Sequence, residues 1–328
     1  SKQVKVSNSL SFLKNCSTIL RKNIDARIIA ITGSCGKTTL KEMIGSTLKK
    51  ISKTSYSPKS FNNKYGVPLT LFNLNQNDDF GVLEVGMDKK GEIDNLTKII
   101  KPDLGIITNI SYAHSKNFKN IKHIATAKGE IINNIKKDGN IILNADDDFF
   151  NYHKRLALKK KLKVTSFGIK SKQSTIRLVK IKKINNKYEL LINLKSLSVS
   201  FYSNNDNESN LYNILATVAS IHLYRDIKRL KKNIFLDFKI PSGRGDISKI
   251  RIKDKYFFLV DESYNSNPLS LKTSIENYDK IVSKISKKYL ILGDMLELGK
   301  HSLKQHKLIS KIVNKTKINQ VYVIGKYI

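Results

Sequence analysis

The stretch ITGSCGKTT, Ile31 to Thr39, joins a run of apolar residues to a helical pattern through a turn that contains two glycines. Gly33 and Gly36 allow backbone angles and a close approach that a Cβ atom would block. The N–H groups that open the following helix would point at an anion, Lys37 would neutralise the outer phosphates, and the Thr38 hydroxyl would ligate Mg²⁺. Only the short pattern Gly-x-x-Gly-Lys-Ser/Thr matches, because the longer form needs a glycine where this chain begins the stretch with isoleucine. The strand before the turn and the helix after it favour a nucleotide phosphate site over a chance glycine turn.

Apolar runs alternate with helical patterns around this turn, as expected of a parallel sheet with crossover helices. The predicted strands of this part are Arg27–Thr32, Phe80–Val85, Leu104–Ile110 and Asn140–Asn144. The predicted helices are Lys37–Lys50, Ile121–Lys136 and Leu211–Tyr224. Between Lys163 and Tyr202 the pattern changes to short alternating runs with a turn at Asn185 and Asn186, which indicates a β-rich insert or an edge hairpin.

A break in the pattern at PSGRG, residues 241–245, predicts a domain boundary near Lys239. After it, the strands Tyr256–Asp261, Tyr289–Leu292 and Gln320–Ile324 restart the alternation. The sequence therefore predicts an α/β protein with a central parallel-sheet domain of the P-loop type, 27–239, followed by an incomplete Rossmann-like α/β domain, 240–328. Residues 1–26 are too few for a domain and are interpreted as the remnant of an N-terminal domain or a linker.

The composition and the cysteine content indicate in which cellular compartment the protein is located. Within 328 residues, no apolar run is long enough to span a bilayer, and no signal-like stretch follows the first serine. Cys16 and Cys35 are too few for a disulfide framework or a metal knuckle, and Cys35 is interpreted as a small filler residue in the phosphate loop. We expect a cytoplasmic protein that does not contact a membrane and is a monomer.

The formal net charge of +33 raises the possibility of a nucleic-acid partner. The lysines are spread along the whole chain, however, and do not form one stripe with interleaved aromatic residues. The abundance of Ile and Asn fits a codon bias toward A and T. Nucleic acid is therefore the less favoured partner, although a positive field would speed the capture of any anionic substrate.

Glu84, His114 and Lys128 stand in positions that the predicted sheet makes informative. Glu84 ends a strand in VLEVG, and in a parallel sheet that edge faces the phosphate crevice, where a carboxylate could hold Mg²⁺. His114 follows another strand end, and Lys128 lies on the next helix. Taken alone, a histidine is more often structural and a lysine in so basic a chain is more often solvated.

Seven segments, in order, resemble the Mur ligase family of peptidoglycan synthesis. They are ITGSCGKTTLKEM, SFNNKYGVPLTLFNL, VLEVGMDKKGEIDNL, KPDLGIITNISYAH, IATAKGEI, DESYNSNPLSL and LGDMLELG. The resemblance runs from about residue 27 to the last residue, and it implies that the family's N-terminal uridine-nucleotide domain and the end of its C-terminal domain are missing here.

The resemblance implies roles for individual residues. It assigns ATP to thirteen positions: Gly33, Ser34, Cys35, Gly36, Lys37, Thr38, Thr39, Asn213, Arg244, Asp261, Tyr264, Asn265 and Asn267. Asp261 would contact the ribose hydroxyls. Two Mg²⁺ ions would be held by Thr38, Glu84, His114 and Lys128, the lysine as a carbamate. Asn62 and Asn63 would face the muramoyl peptide.

The implied activity is an ATP-dependent amide ligase with Lys37, Glu84, His114 and Lys128 as its catalytic residues. ATP would phosphorylate the carboxylate of UDP-MurNAc-tripeptide, and the amine of D-Ala-D-Ala would displace phosphate from the acyl phosphate. Alternatives within this class are the ligase that adds the third peptide residue and folylpolyglutamate synthase. YNSNP argues against the former, where Tyr-Ala-His-Thr-Pro is expected. Alternatives from another class are a P-loop ATPase acting on nucleic acid and a non-catalytic nucleotide-binding fragment.

Overall fold

The structure, a computed structural model, describes residues 3–113, 115–280 and 287–328. Helices are found at α1 Ser9–Lys22, α2 Lys37–Lys49, α3 Gly66–Phe72, α4 Glu92–Ile100, α5 Ile121–Gly129, α6 Phe150–Lys159, α7 Glu208–His222, α8 Pro268–Lys280 and α9 Ser302–Val313. The strands of the first part are β1 Arg27–Thr32, β2 Thr54–Tyr56, β3 Phe80–Glu84, β4 Leu104–Ile107, β5 Asn140–Asn144, β6 Lys163–Gly168, β7 Ile176–Ile184, β8 Lys187–Leu194 and β9 Leu197–Ser203. The last part contains β10 Asp246–Ile252, β11 Lys255–Asp261, β12 Tyr289–Gly293 and β13 Gln320–Ile324.

Within the described residues, β1 to β9 form one sheet in the order β2-β3-β1-β4-β5-β6-β7-β8-β9. The pairs from β2 to β7 are parallel, and β7-β8-β9 are antiparallel. The chain passes from β1 to β3 on one side and returns to β4 on the other, so the strand order reverses beside β1. Ligands of open α/β sheets bind at such a reversal, at the carboxyl ends of the strands.

The centre of the sheet is buried on both faces, which explains the apolar run Ile28–Ile31 of β1. Ile29 and Ile31 pack with α2 and α7 on one face. Ile28 and Ala30 pack on the other face, against a layer that includes α3, α4 and α5. Burial on two faces fixes the position at which β1 ends, and therefore the position of the phosphate loop.

Helix α1 is tied to this layer by one buried arginine. Arg21 donates to the carbonyl oxygens of Ile100 and Ile24, both at 2.7 Å, and lies 3.2 Å from Asp103 Oδ2. Burial lowers the pKa of Arg21, an effect that the nearby Asp103 carboxylate opposes. The predicted division into 1–26, 27–239 and 240–328 stays a prediction.

The predicted α/β class with a parallel-dominated central sheet is confirmed, and some element limits differ. The strand predicted over Leu104–Ile110 ends at Ile107. The helix predicted to run to Lys136 is α-helical only to Gly129 and continues as a 3₁₀ turn over Glu130–Asn134. The edge hairpin predicted between Lys163 and Tyr202 is confirmed, since β7, β8 and β9 pair antiparallel at one edge of the main sheet. Among the described residues, strand β11 pairs only with β10, through a tight turn at residues 253–254. It lies in a different sheet from the parallel pair β12 and β13. Local hairpin pairing therefore replaces the alternation expected at this point.

Candidate active site

The phosphate loop leaves β1 at Gly33 with a backbone that requires glycine. Gly33 has φ +145°, and a Cβ atom there would lie 1.9 Å from the Thr108 hydroxyl oxygen. That hydroxyl donates to the carbonyl oxygen of Cys35 at 2.7 Å. Asn109 accepts two loop N–H groups, that of Ser34 on its main-chain oxygen and that of Cys35 on Oδ1, both at 2.9 Å. The loop is thus pinned along one side by the residues that follow β4.

The free donors of the loop are at the start of α2. Gly36, with φ +78°, is the N-cap of this helix, and the Leu40 N–H makes the first helical bond, to Gly36 O at 2.8 Å. The N–H groups of Lys37, Thr38 and Thr39 precede that bond and have no partner in the helix. Together with the positive end of the helix dipole they form an anion site.

Thr38 and Glu84 meet at the carboxyl edge of the sheet. The buried Thr38 hydroxyl donates to Glu84 Oε2 at 2.7 Å, and Asn62 Nδ2 donates to Glu84 Oε1 at 2.7 Å. Oxygen donors of this kind are the ligands that Mg²⁺ prefers, and Mg²⁺ takes only one or two protein carboxylates beside phosphates and waters. Within the described ranges, no group of three or more His, Cys, Asp and Glu side chains is placed to hold a metal. The pair therefore fits a magnesium ion that a phosphate completes.

Lys128 projects from the end of α5 into the back of the phosphate loop. Its side chain is 1% exposed, and Nζ donates to Gly33 O at 2.9 Å. Among the described residues no carboxylate lies within ion-pair distance of it. Burial, reinforced by the Lys37 ammonium, holds the pKa of Lys128 well below its usual value. An amine so placed is available as a nucleophile toward CO₂.

The segment after Lys239 forms the opposite wall of the site. The predicted residues Arg244, Tyr264, Asn265 and Asn267 line one cleft of about 680 Å³ with the phosphate loop, Glu84 and Asn213. Asn267 Nδ2 donates to Cys35 Sγ at 3.1 Å, and the Arg244 guanidinium lies 4.0 Å from the centre of the Tyr264 ring. Burial raises the pKa of the Cys35 thiol, so this cysteine is protonated and packs rather than reacts.

Asp261 and Asn63 stand apart from this cleft. Asp261 is not among the residues that line it, whereas its neighbours Val260 and Glu262 are. Asn63 is exposed, and its Oδ1 accepts the N–H groups of Tyr65 and Gly66 at 3.0 Å, at the start of α3. His114 lies outside the described residues.

Sequence reasoning missed several residues of the site. Thr108 and Asn109 hold the phosphate loop. They were missed because the predicted strand Leu104–Ile110 included them, whereas β4 ends at Ile107. Asp146 lines the cleft and accepts the N–H groups of residues 169–171 and the Tyr212 hydroxyl, which together lower its pKa against the effect of burial. Glu262 also lines the cleft, and burial raises its pKa. No local pattern marks these two carboxylates.

Comparison with known proteins identifies the family of this chain. The model of the Mur ligase middle domain matches residues 31–221. The UDP-N-acetylmuramoyl-tripeptide–D-alanyl-D-alanine ligase of Buchnera aphidicola subsp. Baizongia pistaciae is 34% identical over 328 residues, which are 99% of this chain and 68% of that protein. This chain belongs to the Mur ligase family. It spans about two thirds of the length of that relative.

Solved structures of Mur ligases share the fold. The crystal structure of MurF from Acinetobacter baumannii has a TM-score of 0.88 at 27% identity and covers 99% of this chain and 69% of its own. MurF ligase from Thermotoga maritima in complex with ADP has a TM-score of 0.83 at 25% identity and covers 99% of this chain and 74% of its own. No helix in the described part of this Mur ligase is long and apolar enough to cross a membrane.

Proposed function

We propose that this Mur ligase is an ATP-dependent amide ligase that joins D-Ala-D-Ala to UDP-MurNAc-tripeptide in peptidoglycan precursor synthesis. The observation that carries the proposal is the single cleft into which the phosphate loop, Glu84, Arg244 and Tyr264 all project, with Lys128 bonded to the back of the loop. The 34% identity to a ligase of that name supports the choice of substrates.

The reaction requires that the acyl carbon of the tripeptide carboxylate be made electrophilic and that the activated intermediate be protected from water. The carboxylate oxygen of the tripeptide attacks the γ-phosphorus of ATP and ADP leaves; the amine of D-Ala-D-Ala then attacks the acyl carbon, phosphate leaves and the amine loses a proton. Lys37 and the N–H groups at the start of α2 would stabilise the charge on the transferred phosphoryl group. Arg244 and Tyr264, from the opposite wall, would close over the nucleotide and exclude water.

Two Mg²⁺ ions and a carbamate on Lys128 belong to the proposal. Thr38 and Glu84 would hold the first ion, and His114 with a carbamate on Lys128 would hold the second. When bound, the ions supply positive charge that offsets the ATP phosphates and the substrate carboxylate. The burial of Lys128, which lowers its pKa, supports carbamylation, because CO₂ adds only to the neutral amine.

The remaining assignments concern the substrate side and the setting. Asn62, which bonds Glu84, would face the muramoyl peptide, and the capping contacts of Asn63 suggest that this neighbour positions the loop instead. We also propose that the protein is a cytoplasmic monomer that acts on small molecules and does not bind nucleic acid.

An acceptor screen tests the function. The purified chain is incubated with ATP, Mg²⁺ and UDP-MurNAc-tripeptide, and phosphate release and product mass are measured with D-Ala-D-Ala, a diamino acid or glutamate as acceptor. We expect product only with D-Ala-D-Ala. Preference for a single amino acid would favour the other ligases of this class. Nucleotide binding without product from any acceptor would identify a non-catalytic fragment, and DNA-stimulated ATP hydrolysis would identify a nucleic-acid-linked ATPase.

A further inference from the structure

Ser60 lies where the two walls of the cleft meet, and nothing in the proposed reaction uses it. Its hydroxyl oxygen is 2.9 Å from the Tyr264 hydroxyl and 3.2 Å from Arg244 Nη2, both on the wall that follows Lys239. The same oxygen is 3.3 Å from Thr38 Oγ1, which in turn bonds Glu84. One hydroxyl therefore contacts both the far wall and the pair of oxygens that fits Mg²⁺.

The directions of these hydrogen bonds follow from the groups themselves. Arg244 can only donate, and an ionised Glu84 can only accept. The Thr38 hydroxyl donates its one proton to Glu84, so it can only accept a hydrogen bond from Ser60. Ser60 is therefore the donor in its bond with Thr38. Ser60 is then left with two lone pairs, which accept from Arg244 and from Tyr264. The result is a chain of bonds that runs in one direction, from the far wall to Glu84, and that is complete only when the walls are together.

Ser60 is also held in place from the phosphate-loop side. Lys41, one turn after Thr38 on α2, is fully buried, and its ammonium donates to the carbonyl oxygens of Ser57 at 2.5 Å and Lys59 at 2.8 Å. Lys59 has φ +47°, a left-handed conformation that costs a non-glycine residue free energy. A buried lysine and a strained backbone next to Ser60 indicate a loop that is held in position by contacts on its own side of the cleft.

The far wall presents its two donors as one unit. Arg244 lies between Gly243 and Gly245, which have φ +73° and φ +96°. The Tyr264 N–H donates to Gly243 O at 3.1 Å, and the Arg244 guanidinium stacks on the Tyr264 ring. Because the two side chains support one another, they reach Ser60 together.

We propose that Ser60 is a positioning residue that couples closure of the cleft to the magnesium site. This rests on the proposed function, since it takes Thr38 and Glu84 as the pair that holds Mg²⁺. By accepting from Arg244 and Tyr264 and donating to Thr38, Ser60 orients the Thr38 lone pair and makes metal retention depend on the closed arrangement. Loss of the Ser60 hydroxyl breaks this chain of bonds, and loss of the Tyr264 hydroxyl removes one of its two donors while Arg244 remains.

The test measures the Mg²⁺ concentration that gives half-maximal binding of a fluorescent ADP analogue. Ser60→Ala is expected to raise that concentration by about tenfold, the usual effect of removing a partner of a metal ligand. Tyr264→Phe is expected to raise it by a smaller factor, because Arg244 still donates to Ser60. The double variant is expected to be no worse than Ser60→Ala, because the Tyr264 hydroxyl acts on Thr38 through Ser60. Ser60→Thr, which keeps the hydroxyl, is expected to restore the wild-type value, and Ser46→Ala on the far part of α2 serves as the matched control.

The possible results distinguish the role of Ser60 from the proposed function. A midpoint in Ser60→Ala that equals the wild-type value overturns the coupling, as do single effects that multiply in the double variant or a failure of Ser60→Thr to restore binding. If the wild-type chain binds the nucleotide with Mg²⁺ but ligates nothing, the proposed function fails while the role of Ser60 stands. If the wild-type chain binds no nucleotide, both proposals are wrong.

Discussion

Gly33 is the residue on which the shape of the phosphate loop depends most. Its φ of +145° is unfavourable for a side chain, and the Thr108 hydroxyl occupies the place of a Cβ atom. The same hydroxyl bonds the loop at Cys35 O, so any shift of Thr108 also loosens the loop. Two separate costs therefore fall on one substitution.

Gly33→Ala is expected to lower the free energy of unfolding by about 3 kcal/mol or more, from backbone strain, the clash and the lost Thr108 bond. Gly91→Ala is the matched control, because Gly91 has φ +90° but open space where its Cβ atom would stand. That control carries strain alone and is expected to cost about 1 kcal/mol. Urea denaturation of both variants makes the comparison, and equal losses would show that the Thr108 contact does not matter.

Lys128→Ala is expected to abolish ligation while leaving ADP affinity within about threefold of the wild-type value, since Lys128 contacts the loop from behind and does not line the cleft. Lys122→Ala, an exposed lysine on the same helix, is the control. Steady-state ligation and ADP binding are measured for both, with and without short-chain carboxylic acids. Recovery with these acids would support a carbamate, and full activity of Lys128→Ala without them would refute it.

The site residues that could be predicted from the sequence are those that stand in a recognisable local motif. Gly33, Lys37 and Thr38 stand in one turn, and Glu84 ends a strand. Ser60, Asn109 and Glu262 were missed because a hydroxyl, an amide or an acid in a loop gains its role only from what the fold brings beside it. The contacts between Ser60 and Tyr264 join residues 204 positions apart, and no spacing rule predicts them.

Helix α5 holds Lys128 in place through a contact with helix α6. His153, on α6 and 2% exposed, donates Nε2–H to the Ala125 carbonyl at 2.9 Å, and its ring fills the space beside Gly129. At Gly129 the α-helix gives way to a 3₁₀ turn. Burial lowers the pKa of His153 below its usual value of 6.5, so the imidazole is neutral in the folded protein.

This contact predicts a pH dependence of stability. Because protonation of His153 is less favourable in the folded than in the unfolded state, stability is complete above pH 6.5 and falls as the pH drops below it, by up to about 1.4 kcal/mol per pH unit. His153→Gln keeps an N–H donor toward Ala125 and cannot titrate. Urea unfolding between pH 8 and pH 5 is expected to show a smaller loss in the variant. Parallel curves for the two proteins would contradict the assignment.

The strands and helices around the phosphate loop were predictable because burial on two faces makes each strand a continuous apolar run. β1 and β5 have the predicted limits, and β3 differs by one residue. β10 was missed, since DISKIRI mixes charged with apolar residues, and the hairpin partner that makes it a strand follows in the chain. Pairing with the adjacent strand β11, and not the residue pattern of the segment itself, makes β10 a strand.

The cleft is formed by two segments that lie far apart in the chain. The phosphate loop and Glu84 come from the central sheet, and Arg244, Tyr264 and Asn267 come from the segment after Lys239. Direct contacts through Ser60 and Cys35 join the two walls. The proposed function and the proposed role of Ser60 therefore both require that this chain binds a nucleotide in the cleft.

Isothermal titration calorimetry of this chain with ADP, in the presence and absence of Mg²⁺, tests that property most directly. We predict binding of one nucleotide per chain that requires Mg²⁺ and that weakens by about 10²-fold in Lys37→Ala, which removes the loop's charged donor. The absence of binding heat with Mg²⁺ present, or unchanged affinity in Lys37→Ala, would contradict the account.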